Sequence, residues 1–160
     1  NIYNMLAAAT IGLHFGVTPE AICHALSSYE PSNNRSQLTE TEHNHLIVDA
    51  YNANPTSMAA ALRNFRDMQV EPKMAILGDM RELGDSSEAE HQKVVDFLAE
   101  AGLENTWLVG ESFAKTNTTL RKFADIDEVK SAIAESQPQG YYILIKGSNG
   151  IKLYQLPEIL

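Results

Sequence analysis

Short apolar segments alternate with helix-patterned segments over most of the chain, and this alternation restricts the possible folds most. The apolar segments are 46–48, 74–77, 107–109 and 141–145. Between them, apolar residues recur at helical spacing over 55–69, over 86–101 and in a segment that begins near Ile126. Strands that are apolar throughout are typical of parallel sheets whose two faces are both covered by helices. The sequence therefore predicts an α/β, Rossmann-like fold with a mostly parallel sheet and helices on both faces.

The first 30 residues follow a different pattern. Residues 4–15 are rich in alanine and apolar throughout, which predicts a buried helix. Thr18 followed by Pro19 predicts the N-cap and first residue of a second helix that ends near Tyr29. The loop-like composition that follows indicates a domain boundary. We therefore predict two parts, a helical piece of a neighbouring domain over 1–31 and the sheet domain over 32–160.

Charge and composition disfavour several classes of function. The 160 residues include 12 Lys and Arg against 21 Asp and Glu, a net charge of −9, so we expect no nucleic-acid binding through a basic surface. No apolar run approaches the roughly 20 residues of a membrane span, so we expect no membrane association. Cys23 is the single cysteine, which rules out an intrachain disulfide and favours a cytoplasmic protein. With no initiator Met and no secretory signal, the chain is expected to be part of a longer one.

Polar segments follow three of the predicted strands. They begin at Asp49, at Gly78-Asp79 and at Lys146-Gly147. Because the carboxyl ends of parallel strands share one edge of a sheet, where ligands collect in such folds, we expect the three segments to lie side by side. Asp49 directly follows an apolar strand and must be paired or bind a ligand, such as a ribose hydroxyl, a metal or a basic side chain. Lys146 is either an anion ligand or a lysine whose stem lies along the surface.

Other polar residues allow both a structural and a functional interpretation. Asn54 before Pro55 is a good helix start, and the same helix N-terminus, with Tyr51 and Asn52 beside it, could face a ligand. His91 lies on the apolar face of a predicted helix and is interpreted as a partly buried histidine with its hydrogen bonds satisfied. The chain contains no Walker loop, so it has no self-contained site for the β- and γ-phosphates of ATP. Its histidines also show no H-E-x-x-H spacing, which is the motif of a zinc site.

Three motifs taken together resemble the C-terminal domain of the Mur ligases. They are D-A-Y-N-A-N-P-T-S at 49–57, I-L-G-D-M-R-E-L-G at 76–84 and K-G-S at 146–148. Upstream, N-I-Y-N-M-L-A-A at 1–8 is similar to a segment near the end of the family's central ATPase domain, and Arg35 matches the family's junction arginine. The most specific resemblance is to the ligases that join D-alanyl-D-alanine to UDP-N-acetylmuramoyl-tripeptide. One departure is Asn149, where the family often has arginine.

The resemblance implies an ATP-dependent amide ligase of peptidoglycan precursor synthesis. In that reaction ATP, with Mg²⁺, phosphorylates the terminal carboxylate of UDP-N-acetylmuramoyl-tripeptide, and the amine of D-alanyl-D-alanine attacks the acyl phosphate. Residues 1–31 would be the C-terminal helices of the central ATPase domain. The phosphate-binding loop, the metal ligands and the protein's own N-terminal and central domains would lie upstream. This fragment alone is therefore expected to be inactive.

The resemblance also implies roles for individual residues. Asn1 and Asn4 match asparagines near the adenine of ATP. Arg35 matches the arginine that reaches the γ-phosphate, and it is the one catalytic residue expected here. Asp49 matches the aspartate that binds the nucleotide at the ribose, with Tyr51 beside it. Contacts with the incoming dipeptide or the nucleotide are expected for Asn52, Asn54 and Lys146, and no metal ligand is expected in this chain.

Two other classes of protein fit part of the pattern. Phosphoacceptor receiver domains also carry aspartates at two strand ends and a lysine at the last one, a layout that Asp49, Asp79, Ser112 and Lys146 mimic. However, receivers usually carry an adjacent acidic pair at the first strand end, where this chain has Val48 before the aspartate. The alternative of a non-catalytic interaction domain predicts no pocket at the strand ends.

Overall fold

The computed structural model describes residues 2–29 and 37–160, and the chain divides into two compact units between Ser32 and Asn33. The first unit contains α1 (Ile2–His14) and α2 (Pro19–Ser27). Thr18 is the N-cap of α2, as expected, and its hydroxyl accepts a hydrogen bond from the backbone N–H of Ala21. The helix expected over 4–15 is present as α1, but its expected burial was wrong, because no residue of α1 is buried. Two short helices have too little surface between them to enclose a core.

The second unit is built on a six-stranded sheet. Its strands are β1 (Gln37–Glu40), β2 (His45–Asp49), β3 (Lys73–Gly78), β4 (Thr106–Val109), β5 (Arg121–Phe123) and β6 (Tyr142–Lys146). Its helices are α3 (Pro55–Asp67), α4 (Ser87–Glu100), α5 (Glu111–Ala114) and α6 (Ile126–Glu135), with 3₁₀ turns at Gly84–Ser86, Asn149–Ile151 and Leu153–Glu158. Among the described helices, none is both long and apolar enough to cross a bilayer.

The sheet is mixed, with one antiparallel pair at its edge. The strand order is β1-β2-β6-β3-β4-β5, and every neighbouring pair is parallel except β1 with β2. The predicted mostly parallel α/β fold is therefore confirmed. The edge strand β5 was not expected, since its sequence R-K-F lacks the apolar run on which the other strands were recognised. β6, the last strand in the sequence, lies between β2 and β3.

Both faces of the sheet are covered. Ile143 and Ile145 of β6 belong to one apolar cluster, and Leu144 between them belongs to the other, as expected for alternating residues of a strand. The first cluster is completed by α6 and the C-terminal segment, through residues that include Val129, Ile133, Leu153 and Leu156. The second is completed by α3 and α4, through residues that include Leu62, Phe65, Val94 and Leu98. This arrangement leaves the carboxyl edge of the sheet for the polar loops.

Candidate functional site

The three polar segments singled out in the sequence meet at the carboxyl edge of the sheet. Asp49 at the end of β2 stands opposite Lys146 at the end of β6 in parallel register. Lys146 is in turn opposite Leu77 of β3, two residues before Asp79. The loops after β3 and β6 also touch, because the backbone N–H of Ser148 donates to the carbonyl of Asp79 over 3.1 Å. The expectation that the ends of these strands lie side by side is confirmed.

Asp49 and Lys146 form an ion pair. Nζ of Lys146 lies 2.5 Å from Oδ2 of Asp49 and 3.4 Å from the carbonyl oxygen of Asn52. The lysine side chain is fully buried, and a buried ammonium needs such a partner. Asp49 was expected to be paired or to bind a ligand, and the structure shows that it is paired with Lys146 through Oδ2. Among the described residues no group donates to its other oxygen, Oδ1, and 19% of the side chain is exposed.

Asp79 holds the N-terminus of α5 rather than forming a simple turn. Its Oδ2 accepts from the backbone N–H of Ser112 over 2.8 Å, and its Oδ1 accepts from that of Phe113 over 2.9 Å. Gly110, at φ 122°, leaves the space for this carboxylate, since a Cβ there would lie 2.4 Å from Cγ of Asp79. Both oxygens are therefore engaged in the fold, which disfavours the receiver-like alternative in which Asp79 is the phosphoacceptor.

His91 joins the loop after β3 to helix α4. Its Nε2 accepts a hydrogen bond from the backbone N–H of Met80 over 3.0 Å, so the ring proton is on Nδ1, which lies 2.7 Å from the carbonyl oxygen of Ser87. The side chain is fully buried, more so than the sequence suggested, and its ring packs edge-on against Phe113. The interpretation of His91 as a satisfied structural histidine is confirmed.

The loop after β2 leads into a capped helix. Asn54 Oδ1 accepts from the backbone N–H of Ser57 over 2.9 Å, and the hydroxyl of Ser57 accepts from the backbone N–H of Asn54 over 3.2 Å. This capping box, with Pro55 as the first helical residue, confirms the predicted helix start. Tyr51, Asn52 and Asn54, which follow Asp49 in the sequence, have exposed side chains. Their roles as ligand contacts stay predictions.

Three predicted site residues belong to the first unit or fall outside the described residues. Asn4 is on α1, in the first unit. Asn1 and Arg35 fall outside 2–29 and 37–160, so their predicted roles are not tested by the structure. Over the same described ranges, no group of three or more His, Cys, Asp or Glu side chains is placed to hold a metal ion.

Arg81 and Ser148, for which the sequence motifs predicted no role, connect the loops after β3 and β6. The backbone N–H of Arg81 donates to the hydroxyl of Ser148 over 3.0 Å. The guanidinium of Arg81 lies against Gly150, where an added Cβ would be 2.5 Å from Cζ. The available signal was Gly150 itself, because a glycine in a loop often marks a close approach of another group.

Comparison with known proteins agrees with this architecture. Residues 34–149 match the family described as Mur ligase, glutamate ligase domain. The whole chain is 32% identical to 37% of UDP-N-acetylmuramoyl-tripeptide–D-alanyl-D-alanine ligase from Bacillus subtilis (strain 168). Among solved structures, crystal structure II of MurF from Acinetobacter baumannii matches 97% of the chain with a TM-score of 0.81 and 32% identity, over 36% of its own length.

A more distant structure shares the fold. MurF ligase from Thermotoga maritima, solved in complex with ADP, matches 99% of the chain with a TM-score of 0.77 at 20% identity, over 37% of its own length. The chain thus spans little more than a third of the length of these proteins. Since the family match covers most of the chain, including every strand and all three loops of the carboxyl edge, the chain belongs to the Mur ligase family.

Proposed function

We propose that this chain is the C-terminal part of an ATP-dependent amide ligase that joins D-alanyl-D-alanine to UDP-N-acetylmuramoyl-tripeptide in the cytoplasm. The similarity to the Bacillus subtilis ligase over the whole chain carries the proposal. The neighbouring ends of β2, β6 and β3 support it, because they concentrate the family motifs at one edge of the sheet. In this proposal residues 1–31 end the central ATPase domain, and 32–160 form the ligase domain that closes the site.

Asp49 is the nucleotide contact in this proposal. Lys146 binds Oδ2, which leaves Oδ1 as the oxygen available to accept a hydrogen bond from a ribose hydroxyl. This carboxylate fits a sugar hydroxyl. Because Lys146 holds Oδ2 in place, Oδ1 is a charged acceptor in a fixed position, to which a hydroxyl can donate. Lys146 is accordingly a positioning residue for Asp49, and direct contact of its ammonium with a ligand anion is disfavoured by its burial.

The remaining contacts are assigned by position in the motifs. Tyr51 lies beside the nucleotide, and Asn52 and Asn54 line the path of the incoming dipeptide. Asn1 and Asn4 contact the adenine, and Arg35 contacts the γ-phosphate. ATP supplies the phosphoryl group that activates the tripeptide carboxylate. The Mg²⁺ that accompanies it is assigned to ligands of the upstream domain, and no role of the described residues depends on it.

The test is a comparison of this chain with a complete ligase that contains it. We expect the complete protein to form ADP over many turnovers only when UDP-N-acetylmuramoyl-tripeptide, D-alanyl-D-alanine and ATP are all present, and the isolated chain to form none. Ligation by the isolated chain would contradict the proposal that the reaction also needs the upstream domains. A complete protein that binds these substrates without joining them would contradict the proposed reaction.

A further inference from the structure

The loop after β3 carries a cation that the fold does not use. Arg81 follows Asp79 and Met80, whose side chains are both buried, and its own side chain is exposed. Among the described residues its guanidinium makes no hydrogen bond and no ion pair. By contrast, Arg66 on α3 pairs with Asp67, and Lys146 pairs with Asp49. Arg81 is therefore a free guanidinium at the edge of the sheet where the strand ends meet.

The position of this guanidinium is restricted by the neighbouring loop. The backbone N–H of Arg81 is bound to the hydroxyl of the buried Ser148, and the guanidinium lies against Gly150. Glu82, the next residue, has φ 66°, a left-handed backbone conformation that fixes the turn after Arg81. The guanidinium thus lies against Gly150, the residue that follows Asn149, whose side chain is exposed and uncharged.

We propose that Arg81 is the oxyanion-binding cation of this edge, where the neighbouring Asn149 carries no charge. A guanidinium recognises a carboxylate or a phosphate through two parallel hydrogen bonds, which Asn149 cannot supply. The inference rests on the proposed function, in which the ligands that meet here carry such groups. The oxyanion is either the carboxylate of D-alanyl-D-alanine or a phosphate of a nucleotide substrate.

The first test uses the complete ligase with Arg81→Met, which removes the charge and keeps a long side chain. We expect the KM of one substrate to rise about 10- to 100-fold, as for loss of a hydrogen-bonded ion contact, with kcat nearly unchanged. A rise for D-alanyl-D-alanine that is absent when its amide is the substrate identifies the carboxylate. A rise for ATP or for UDP-N-acetylmuramoyl-tripeptide identifies a phosphate-bearing ligand.

Two further variants separate recognition from structure. Asn149→Arg in the Arg81→Met background is expected to restore the KM, because it returns a guanidinium to the same place from the neighbouring loop. Arg63→Met, which removes an exposed arginine from the body of α3, is the matched control and should leave every KM unchanged. Unchanged KM values for all three substrates in Arg81→Met, or no restoration by Asn149→Arg, would overturn the proposal.

A second measurement does not depend on catalysis. In the complete protein, the Nε–H signal of Arg81, assigned by its loss in Arg81→Met, is expected to shift when D-alanyl-D-alanine, ADP or UDP-N-acetylmuramoyl-tripeptide is added at millimolar concentration. The amide of the dipeptide should not shift it if the carboxylate is the ligand. A signal that none of these ligands moves would overturn the proposal. A complete protein without ligase activity would contradict the proposed function. The Nε–H signal would even then show whether Arg81 binds an oxyanion.

Discussion

Lys146 is fully buried at the end of β6, whereas its ion-pair partner Asp49, directly opposite on β2, keeps 19% of its side chain exposed. The pair is therefore asymmetric. The lysine depends on the aspartate for its only close negative charge among the described residues, but the aspartate retains contact with solvent on one side. This asymmetry suits a carboxylate that is held in place from the inside of the fold and can be approached by a ligand from the outside.

We expect Asp49→Asn to destabilise the sheet domain more than Lys146→Met does. Asp49→Asn leaves a fully buried ammonium without its counter-ion, which costs about 3–5 kcal/mol. Lys146→Met leaves a carboxylate that water can still reach, so its cost should be smaller. Urea denaturation of the single variants and of the double variant measures this difference. Equal losses for the two single variants would contradict the asymmetry.

A side chain at Gly110 is expected to displace the carboxylate of Asp79. Gly110→Ala introduces a Cβ only 2.4 Å from Cγ of Asp79 and also strains a backbone at φ 122°. We expect a loss of more than about 3 kcal/mol, since backbone strain alone costs about 1–3 kcal/mol. Gly140→Ala is the matched control, because φ there is 75° but no atom lies within 4 Å of the added Cβ. Similar melting temperatures for the two variants would contradict the proposed clash.

Replacement of His91 is expected to loosen the loop after β3. His91→Leu leaves the buried N–H of Met80 without its acceptor, so we expect a loss of about 1–3 kcal/mol in unfolding free energy. His91→Gln offers both a donor and an acceptor and should cost less. Amide hydrogen exchange at Met80 should be faster in His91→Leu. An unchanged exchange rate would show that the histidine does not hold this loop.

Arg35 is expected to matter for turnover and not for folding. In the complete ligase, Arg35→Ala removes a cation that the resemblance assigns to the γ-phosphate, where developing charge needs stabilisation. We expect kcat to fall about 100-fold or more, with the melting temperature nearly unchanged. Arg35→Lys should recover part of the loss, because the charge remains but the paired hydrogen bonds do not. An unchanged kcat in Arg35→Ala would remove this residue from its assigned role.

Local sequence patterns were sufficient to predict most of the helices and strands. Apolar runs marked β2, β3, β4 and β6, and capping residues marked the starts of α2 and α3. Edge strand β5 was missed because only one of its three residues is buried, so it needs few apolar residues. The burial expected for α1 was wrong because an apolar sequence shows the capacity to be covered but does not supply the surface that covers it.

The sequence alone determined that Asp49, Asp79 and Lys146 follow strands of a mostly parallel sheet, because strand ends and their polar residues are local features. Only the tertiary structure decided what each one touches. Lys146 meets Asp49 across 97 residues because β6 lies between β2 and β3, an order that no local pattern encodes. Asp79 caps α5 because β4 lies beside β3, and Arg81 lies against Gly150 because β6 lies on the other side of β3. Their partners come from neighbouring loops, and side chains distant in sequence become neighbours only when the strands that carry them are placed in one sheet.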